Sequence, residues 1–416
     1  MDITKNKYYI SKNFIIVEDN KLYNIYPIKN GKKYKINQSV FELLKRIHTN
    51  PDYNLNDNEK ICIEDLVNKG ILTNNIEEKA DNAIKNVTNI NRIFIELTRK
   101  CNLKCEHCYN ESSINTIEPN ILDEKEIKKI IDQACELGIW QFDVTGGEVF
   151  LRDDLFDILK YAKEKGMITS VFSNLTIIDE NQIDKIKNLN IKKFITSIDA
   201  YQHKTHDLFR GVKGSLSKTI KNIKLLKDNG IDVTVNVVLG PHNEHEITDL
   251  VNYLNMELKV PYVVDVLLPS GRAENLNNDL KKYSKMLPYL TSICGKNIIC
   301  NEDDLQEKTI RKNNKNCGVG EKMIYITSEG MVNLCPSLTY RVNPDFGIGN
   351  VRNYDLSTII KKLFSNYPNL KGKECLDCEK LDECKAGCRS RAYHMYGDVT
   401  SADNMNCYLF GVKNEI

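Results

Sequence analysis

The sequence predicts an α/β protein whose centre is an incomplete barrel of parallel βα units. A small winged-helix-like module precedes the barrel and a loop-rich domain follows it. Three observations carry this prediction. From residue 92 onward, short β-rich runs alternate with helical stretches, and that rhythm builds parallel βα units. Six such units can be read, two short of a closed eight-stranded barrel. The first 75 residues and those after about residue 300 do not follow the rhythm.

Taken in order, Tyr8–Ile10, Phe14–Val17 and Leu22–Ile28 read as short strands. Asn30 and Gly31 form a hairpin turn before Tyr34–Ile36. Ser39–His48 follows as a helix with Val40, Leu43, Leu44 and Ile47 on one face. Ile61–Leu72 is a second apolar-periodic stretch that ends near Gly70. Residues 75–91, rich in Asn, Lys and Glu, read as a linker. The barrel strands are Ile93–Leu97, Gln141–Val144, Thr169–Phe172, Phe194–Ile198, Val233–Val238 and Val263–Leu268. Asp123–Leu137 and Lys218–Asn229 are intervening helices.

Composition sets the class. A chain of 416 residues exceeds one ordinary core and implies two or three domains. With 41% hydrophobic and 28% charged residues it is globular. The formal charge of +1 gives no electrostatic case for nucleic acid or an acidic membrane as partner. No apolar run approaches the roughly 20 residues of a membrane helix. The N-terminus lacks the basic-then-apolar pattern of a secretion signal. A cytoplasmic protein is expected.

Cysteine is the outlier. Of the 14 cysteines, only Cys62 precedes residue 100, and eight lie between Cys300 and Cys407. In a long chain without a secretion signal this usage points to metal rather than disulfides. Cys101, Cys105 and Cys108 directly follow the first barrel strand, on the face where βα barrels carry active sites. Three thiolates leave a four-iron cluster with one open iron, whereas a structural zinc site closes its tetrahedron. Cys62 and Cys135 lie on apolar helical faces and read as packed residues. Trp140 likewise reads as packing alone.

The spacing C-x3-C-x2-C, followed by Gly146, Gly147 and Glu148, then Ser173-Asn174, Ser197-Ile198-Asp199 and Arg210-Gly211, resembles the radical S-adenosylmethionine superfamily. That resemblance implies a partial (β/α)6 barrel. It also implies a catalytic [4Fe-4S] cluster on Cys101, Cys105 and Cys108. The methionine amino group would meet Gly146, Gly147 and Glu148, whose glycines permit close backbone approach. Ser173 and Ser197 would face the ribose, Arg210 the methionine carboxylate, and His107 the adenine. Leu175 and Ala200 stand where the family commonly has glycine. The implied chemistry is reductive cleavage of S-adenosylmethionine to a 5′-deoxyadenosyl radical that abstracts hydrogen from an unactivated carbon. The protein positions and shields that radical.

Cys317, Cys335, Cys375, Cys378, Cys384, Cys388 and Cys407 resemble a SPASM domain with two auxiliary [4Fe-4S] clusters, three clusters in all. On that likeness Cys375, Cys378, Cys384 and Cys407 hold the second auxiliary cluster. Cys388 crosses to join Cys317 and Cys335 on the first. Cys300, with Cys294 behind it, is the nearest candidate for the missing ligand; an open iron that binds a substrate thiol is the alternative. Pro336 stands where sulfatase activators carry an aspartate base.

Tyr34–Phe41 and Ile61–Leu72 are similar to the peptide-recognition modules of maturases that act on ribosomally made peptides. Such modules add a leader peptide as a strand to an exposed sheet edge. A DNA-binding winged helix is the alternative, but no concentrated basic helix is present. The resemblance as a whole implies a leader-recognition module over residues 1–78, a linker over 79–91, a barrel over 92–295 and a SPASM domain over 296–416. It implies an enzyme that crosslinks a precursor peptide, first of all through a cysteine thioether. Carbon–carbon crosslinking, epimerisation and haem-type tetrapyrrole chemistry are the alternatives. An external low-potential donor such as flavodoxin or ferredoxin would supply electrons.

Overall fold

The structure is a computed structural model that describes residues 7–19, 21–28, 32–81, 83–87, 90–189, 191–274, 276, 279–292, 318–367, 370 and 372–413. Asn30, Gly31, Cys294, Cys300 and Cys317 lie outside the described residues.

The N-terminal module is a four-stranded sheet and a two-stranded one, packed with two helices. Its strands are β1 (Tyr9–Ile10), β2 (Phe14–Asp19), β3 (Leu22–Pro27) and β4 (Tyr34–Ile36). Helices α1 (Gln38–Thr49) and α2 (Asp57–Asn68) follow, then β5 (Leu72–Thr73) and β6 (Ile84–Val87). Asn37 caps α1 by accepting from Val40 N at 2.9 Å. Asn56 and Glu59 form a capping box that starts α2 four residues before the expected Ile61. Phe41, Leu44, Ile47, Ile63 and Leu66 bury their side chains against Ile16 and Ile25 of the sheet. Cys62 packs at the edge of the same core.

The sheet order is β4-β3-β2-β6. Residues 79–91, expected as a linker, therefore contribute an edge strand that pairs parallel with β2. Its stabilisation comes from backbone pairing with a distant partner, which no local apolar pattern announces. The sheet also lies against the barrel: Ile15, Val17, Trp140 and Ile168 form one buried cluster. Tyr26 packs at a tilt on Trp140, 4.8 Å between ring centroids.

The barrel strands are β7 (Arg92–Glu96), β8 (Gln141–Thr145), β9 (Ser170–Phe172), β10 (Lys193–Ser197), β11 (Val233–Leu239) and β12 (Tyr262–Val266). All five neighbouring pairs are parallel. Helices α3 (Glu124–Glu136), α4 (Leu155–Glu164), α5 (Glu180–Asn188), α6 (His203–Arg210) and α7 (Ser215–Asp228) fill the crossovers as far as β11. Cys135 packs against this core from α3. Trp140 and Ile168 sit just before β8 and β9. The N-terminal module is thus seated at the end of the barrel away from the three-cysteine loop.

One feature was not legible in the sequence. The C-terminal domain supplies β13 (Met323–Ile326), β14 (Met331–Asn333) and β15 (Gly349–Asn350), and β13 pairs parallel with β7, Tyr325 opposite Phe94. The sheet therefore runs on past the six expected strands into the cysteine-rich domain. Phe94 packs on Phe172 at 4.7 Å and edge-on to Tyr325 at 5.7 Å, which fills the barrel interior below the site. No described helix is long and apolar enough to cross a membrane.

Trp140→Ala should cost about 3 kcal/mol, the usual range for deleting a buried aromatic. Calorimetry should show the N-terminal module melting in a separate, earlier transition, because the deleted side chain joins two cores rather than filling one.

Candidate active site

The loop after β7 is fixed by its neighbours before any ligand is considered. Cys101 and Cys105 are buried, and with Leu103, Cys108 and Val212 they line one apolar cluster. Burial pushes the Cys101 thiol up to about 12 and raises Cys105 as well. Ligand bonding to a metal must supply what deprotonation costs there. Hydrogen bonds reach the sulfurs from Leu103 N to Cys101 and Ser112 N to Cys108, both at 3.4 Å. The Asn174 amide reaches Cys101 at 3.8 Å and the Arg210 guanidinium reaches Cys105 at 3.7 Å.

Other strand-end loops hold the chain itself. Lys104 N and Glu106 N donate to the carbonyls of Arg210 and Phe209 at 3.1 and 2.9 Å. Arg272 donates from Nε to Cys105 O at 2.7 Å and from Nη2 to Ser112 O at 3.1 Å. Gly147 N and Glu148 N donate to Thr98 O and Lys100 O at 2.7 and 2.8 Å. A Cβ on Gly147 would lie 2.3 Å from Lys100 O, and one on Gly271 would lie 2.6 Å from Cys108 O. The closest approach that Gly147 permits is thus to the backbone entering the cysteine loop.

Glu148 is fully buried and accepts from Ser173 Oγ at 2.8 Å, Asn174 N at 2.8 Å and Phe150 N at 3.1 Å. Burial raises its pKa to about 7 against those three donors. Ser173, expected at the ribose, spends its hydroxyl proton on this carboxylate. Leu175 adopts φ +59°. The left-handed conformation that glycine takes readily is kept here by a leucine, at a strain of roughly 1 kcal/mol. Its burial and the Asn222 amide, 2.6 Å from Leu175 O, hold it in place. Ala200 is buried without a positive φ.

Asp199 and Arg210 form an ion pair at 2.5 Å. Burial alone would raise the aspartate, but the guanidinium charge wins and holds it well below the carboxylate range. His107 stacks on Phe209 at 4.5 Å, and Phe209 on His242 at 3.5 Å. Burial lowers the two imidazoles to about 3 and about 4, so both are neutral near pH 7. Arg210 Nε, His107 Nδ1 and both ring nitrogens of His242 find no partner among the described residues. Ser197 ends β10, half-buried, in register with Asn236. Asp199, His242 and Arg272 were not singled out as site residues from sequence. Each follows a barrel strand by only a few residues, which is the signal that could have found them.

In the C-terminal domain Cys375 and Cys407 share an apolar cluster with Leu381, Ala386 and Ala402. The charges of Cys375, Cys378 and Cys384 fall within reach of one another, and burial raises Cys407 beside them to about 11. Cys388 caps the helix Arg389–Tyr396, its sulfur accepting from Arg391 N at 3.4 Å. That helix packs on the segment after Cys335 through His394 to Ser337 O at 3.1 Å. The residues fit an iron–sulfur cluster with an amino-acid-bearing nucleoside beside it. Three thiols line one apolar cluster, which holds no fourth cysteine among the described residues, and buried carboxylate, guanidinium and imidazole atoms, some without a partner among the described residues, adjoin them.

Gly147→Ala should displace the Lys100 carbonyl and lower reconstituted iron by up to about four per chain, one cluster's worth, as an iron assay would read. Glu148 makes the ligand-free protein pH-sensitive. Its raised pKa means the folded state binds the extra proton, so stability is highest at low pH and falls as pH rises from the ordinary glutamate value through about 7. Glu148→Gln should flatten that part of the melting-temperature profile.

Family models match in two places: the Radical SAM superfamily over residues 95–254 and the SPASM iron–sulfur cluster-binding domain over residues 317–389. An AdoMet-dependent heme synthase of Nitratidesulfovibrio vulgaris is 27% identical over 75% of this chain and 91% of its own length. The antilisterial bacteriocin subtilosin biosynthesis protein AlbA of Bacillus subtilis is 30% identical over 62% of this chain, which spans 56% of AlbA. The crystal structure of Streptococcus suis SuiB bound to precursor peptide SuiA superposes with a TM-score of 0.68 at 16% identity, covering 96% of this chain and 99% of SuiB. With the cysteine loop, the parallel sheet and both family matches in agreement, the chain carries a radical S-adenosylmethionine domain and a SPASM domain.

Proposed function

We propose that this enzyme modifies a ribosomally made precursor peptide, installing an intramolecular crosslink, and that a cysteine thioether is that crosslink. The observation that carries the reading is the N-terminal module. Its strand β4 is a sheet edge. Between β4 and α2 lies a cavity of about 230 Å³ lined by Ile36, Val40, Cys62, Leu66, Lys35 and Lys69. An extended leader can add to such an edge and place an apolar side chain in the cavity. The fold likeness to SuiB covers 96% of the chain and so takes in most of this module. The heme synthase match leaves a quarter of the chain unmatched. That match still favours a second reading, a tetrapyrrole substrate, because it spans nearly all of the relative.

In the proposed site Cys101, Cys105 and Cys108 hold the catalytic cluster. Cys375, Cys378, Cys384 and Cys407 hold one auxiliary cluster, and Cys317, Cys335 and Cys388 another, which makes three. When bound, the catalytic cluster and S-adenosylmethionine supply a 5′-deoxyadenosyl radical. Arg210 and Glu148 fix the methionine carboxylate and amino groups, while Gly146 and Gly147 keep the loop close. His107 and Ser197 bracket the nucleoside, and the apolar thiol pocket keeps water from the reacting carbon. A flavodoxin- or ferredoxin-type donor delivers the electron in the cytoplasm.

Anaerobic reconstitution should give about twelve irons per chain. Replacing Cys101, Cys105 and Cys108 with Ala should remove about four and abolish 5′-deoxyadenosine formation. Cysteine-containing peptides from short reading frames beside the gene should lose a hydrogen pair on incubation, with a thiol no longer alkylated. Val40→Asp should weaken leader binding about tenfold, roughly 1.4 kcal/mol, and leave cofactor cleavage intact. Unchanged processing by that variant, or turnover of a porphyrin instead of peptide, would sink the peptide reading.

A further inference from the structure

Glu96 ends β7, five residues before Cys101, and is almost wholly buried. A buried carboxylate is costly unless its oxygens are fully engaged, and here two distant parts of the chain engage them. Asn110, just past Cys108, donates its amide to Oε2 at 2.5 Å. The C-terminal domain provides the rest. Tyr325 donates its hydroxyl at 2.8 Å, and Ser328 donates N at 3.1 Å and Oγ at 2.8 Å. Arg341 donates Nη2 at 2.8 Å and Nη1 at 3.3 Å.

Arg341 does not stop at Glu96. Its Nη1 also donates to Asn110 Oδ1 at 3.0 Å, so Asn110 is clamped through both ends of its amide. Glu329 accepts from the same guanidinium at 2.5 Å. On the other side, Arg99 Nη2 reaches Asn110 O at 3.1 Å. The entry of the cysteine loop and its 104–106 stretch are held by barrel loops. Its exit at Asn110 is held by a residue more than two hundred positions away.

We propose that Glu96 and Arg341 are positioning residues through which the SPASM domain becomes part of the scaffold of the three-cysteine loop. The catalytic cluster then keeps its working geometry only while that domain is docked. The proposal rests on the reading of Cys101, Cys105 and Cys108 as that cluster's ligands. A backbone strand pairing such as β13 on β7 fixes the two domains' positions, and the side-chain bridge carries that docking to the loop itself.

The test uses full-length reconstituted protein, with S-adenosylmethionine as the only ligand. Arg341→Gln and Glu96→Gln are compared with Arg352→Gln. Arg352 also crosses to the barrel, at Glu126 on α3 and at the carbonyls of Asn120 and Ile121 just before that helix, well past Asn110 and the three cysteines. Iron content, melting temperature, the electron paramagnetic resonance spectrum with and without S-adenosylmethionine, and peptide-free cleavage are read together. Arg341→Gln and Glu96→Gln should retain about eight auxiliary irons and a cooperative melting transition, at a temperature lowered by the broken buried pair. They should lose the cofactor-induced spectral change and cleave about tenfold more slowly at saturating cofactor, near 1.4 kcal/mol of barrier. Arg341→Lys should recover part of both, and Arg352→Gln should match the parent. Asn110→Ala replaces Glu96→Gln if the latter does not fold. Parent-like spectra and cleavage in the Arg341 and Glu96 or Asn110 variants overturn the proposal. So does an equal loss in Arg352→Gln, which would mean general loosening of the domains. If the triple cysteine variant still cleaves the cofactor, the cluster assignment itself falls, and this outcome is read independently of the other variants.

Discussion

The rest of the site depends on how closely backbone can approach the three-cysteine loop. Gly147 and Gly271 bring two other loops to within a distance at which a Cβ would overlap a carbonyl oxygen of the loop or its entry. At such a contact nothing can adjust except the backbone itself, so the strand-end loops are mutually dependent. Arg272 and the carbonyls at the end of α6 complete the enclosure with directional bonds. The result is a loop with a set shape, which a cluster ligated by three thiols from one short segment requires.

Three buried carboxylates near this loop are stabilised in three ways, and the differences follow from their partners. Asp199 has a cation in contact and stays ionised despite burial. Glu96 has a cation and a set of neutral donors, and its pKa also falls below the ordinary value. Glu148 has neutral donors only, and burial prevails, raising it to about 7. The carboxylate expected to meet a cationic amino group is therefore the one with no cation of its own. A ligand ammonium would complete it as Arg210 completes Asp199.

The N-terminal module is seated through Trp140 and Tyr26 at the end of the barrel away from the cysteines. A leader bound there and a modified segment at the other end would be joined by chain that crosses the barrel wall. Such a tether raises the local concentration of the reacting segment while its spacing selects which residue arrives. On the proposed reading, recognition and chemistry would thereby be separated, and the leader would not need to resemble the site that is modified.

The sequence by itself determined the parallel barrel, because apolar strands alternating with amphipathic helices are local patterns with a local cause. It also marked the cysteine loop, since three cysteines within eight residues need no tertiary help to be recognised. It placed Gly147, Glu148 and Ser173 at strand ends and Arg210 further along the chain after one, yet their partners were decided only by the fold. Ser173 serves Glu148, Gly147 makes room for Lys100, and Leu175 holds a glycine-like angle because α7 and burial enforce it. The strand in residues 84–87 and the pairing of β13 with β7 were invisible for the same reason, since each is stabilised by backbone bonds to a distant segment. Glu96 was not singled out from sequence, lying inside the expected strand Ile93–Leu97. Its carboxylate acquires its role only when Arg341, Tyr325 and Ser328 are folded onto it, because the burial and donors that define it come from residues far along the chain.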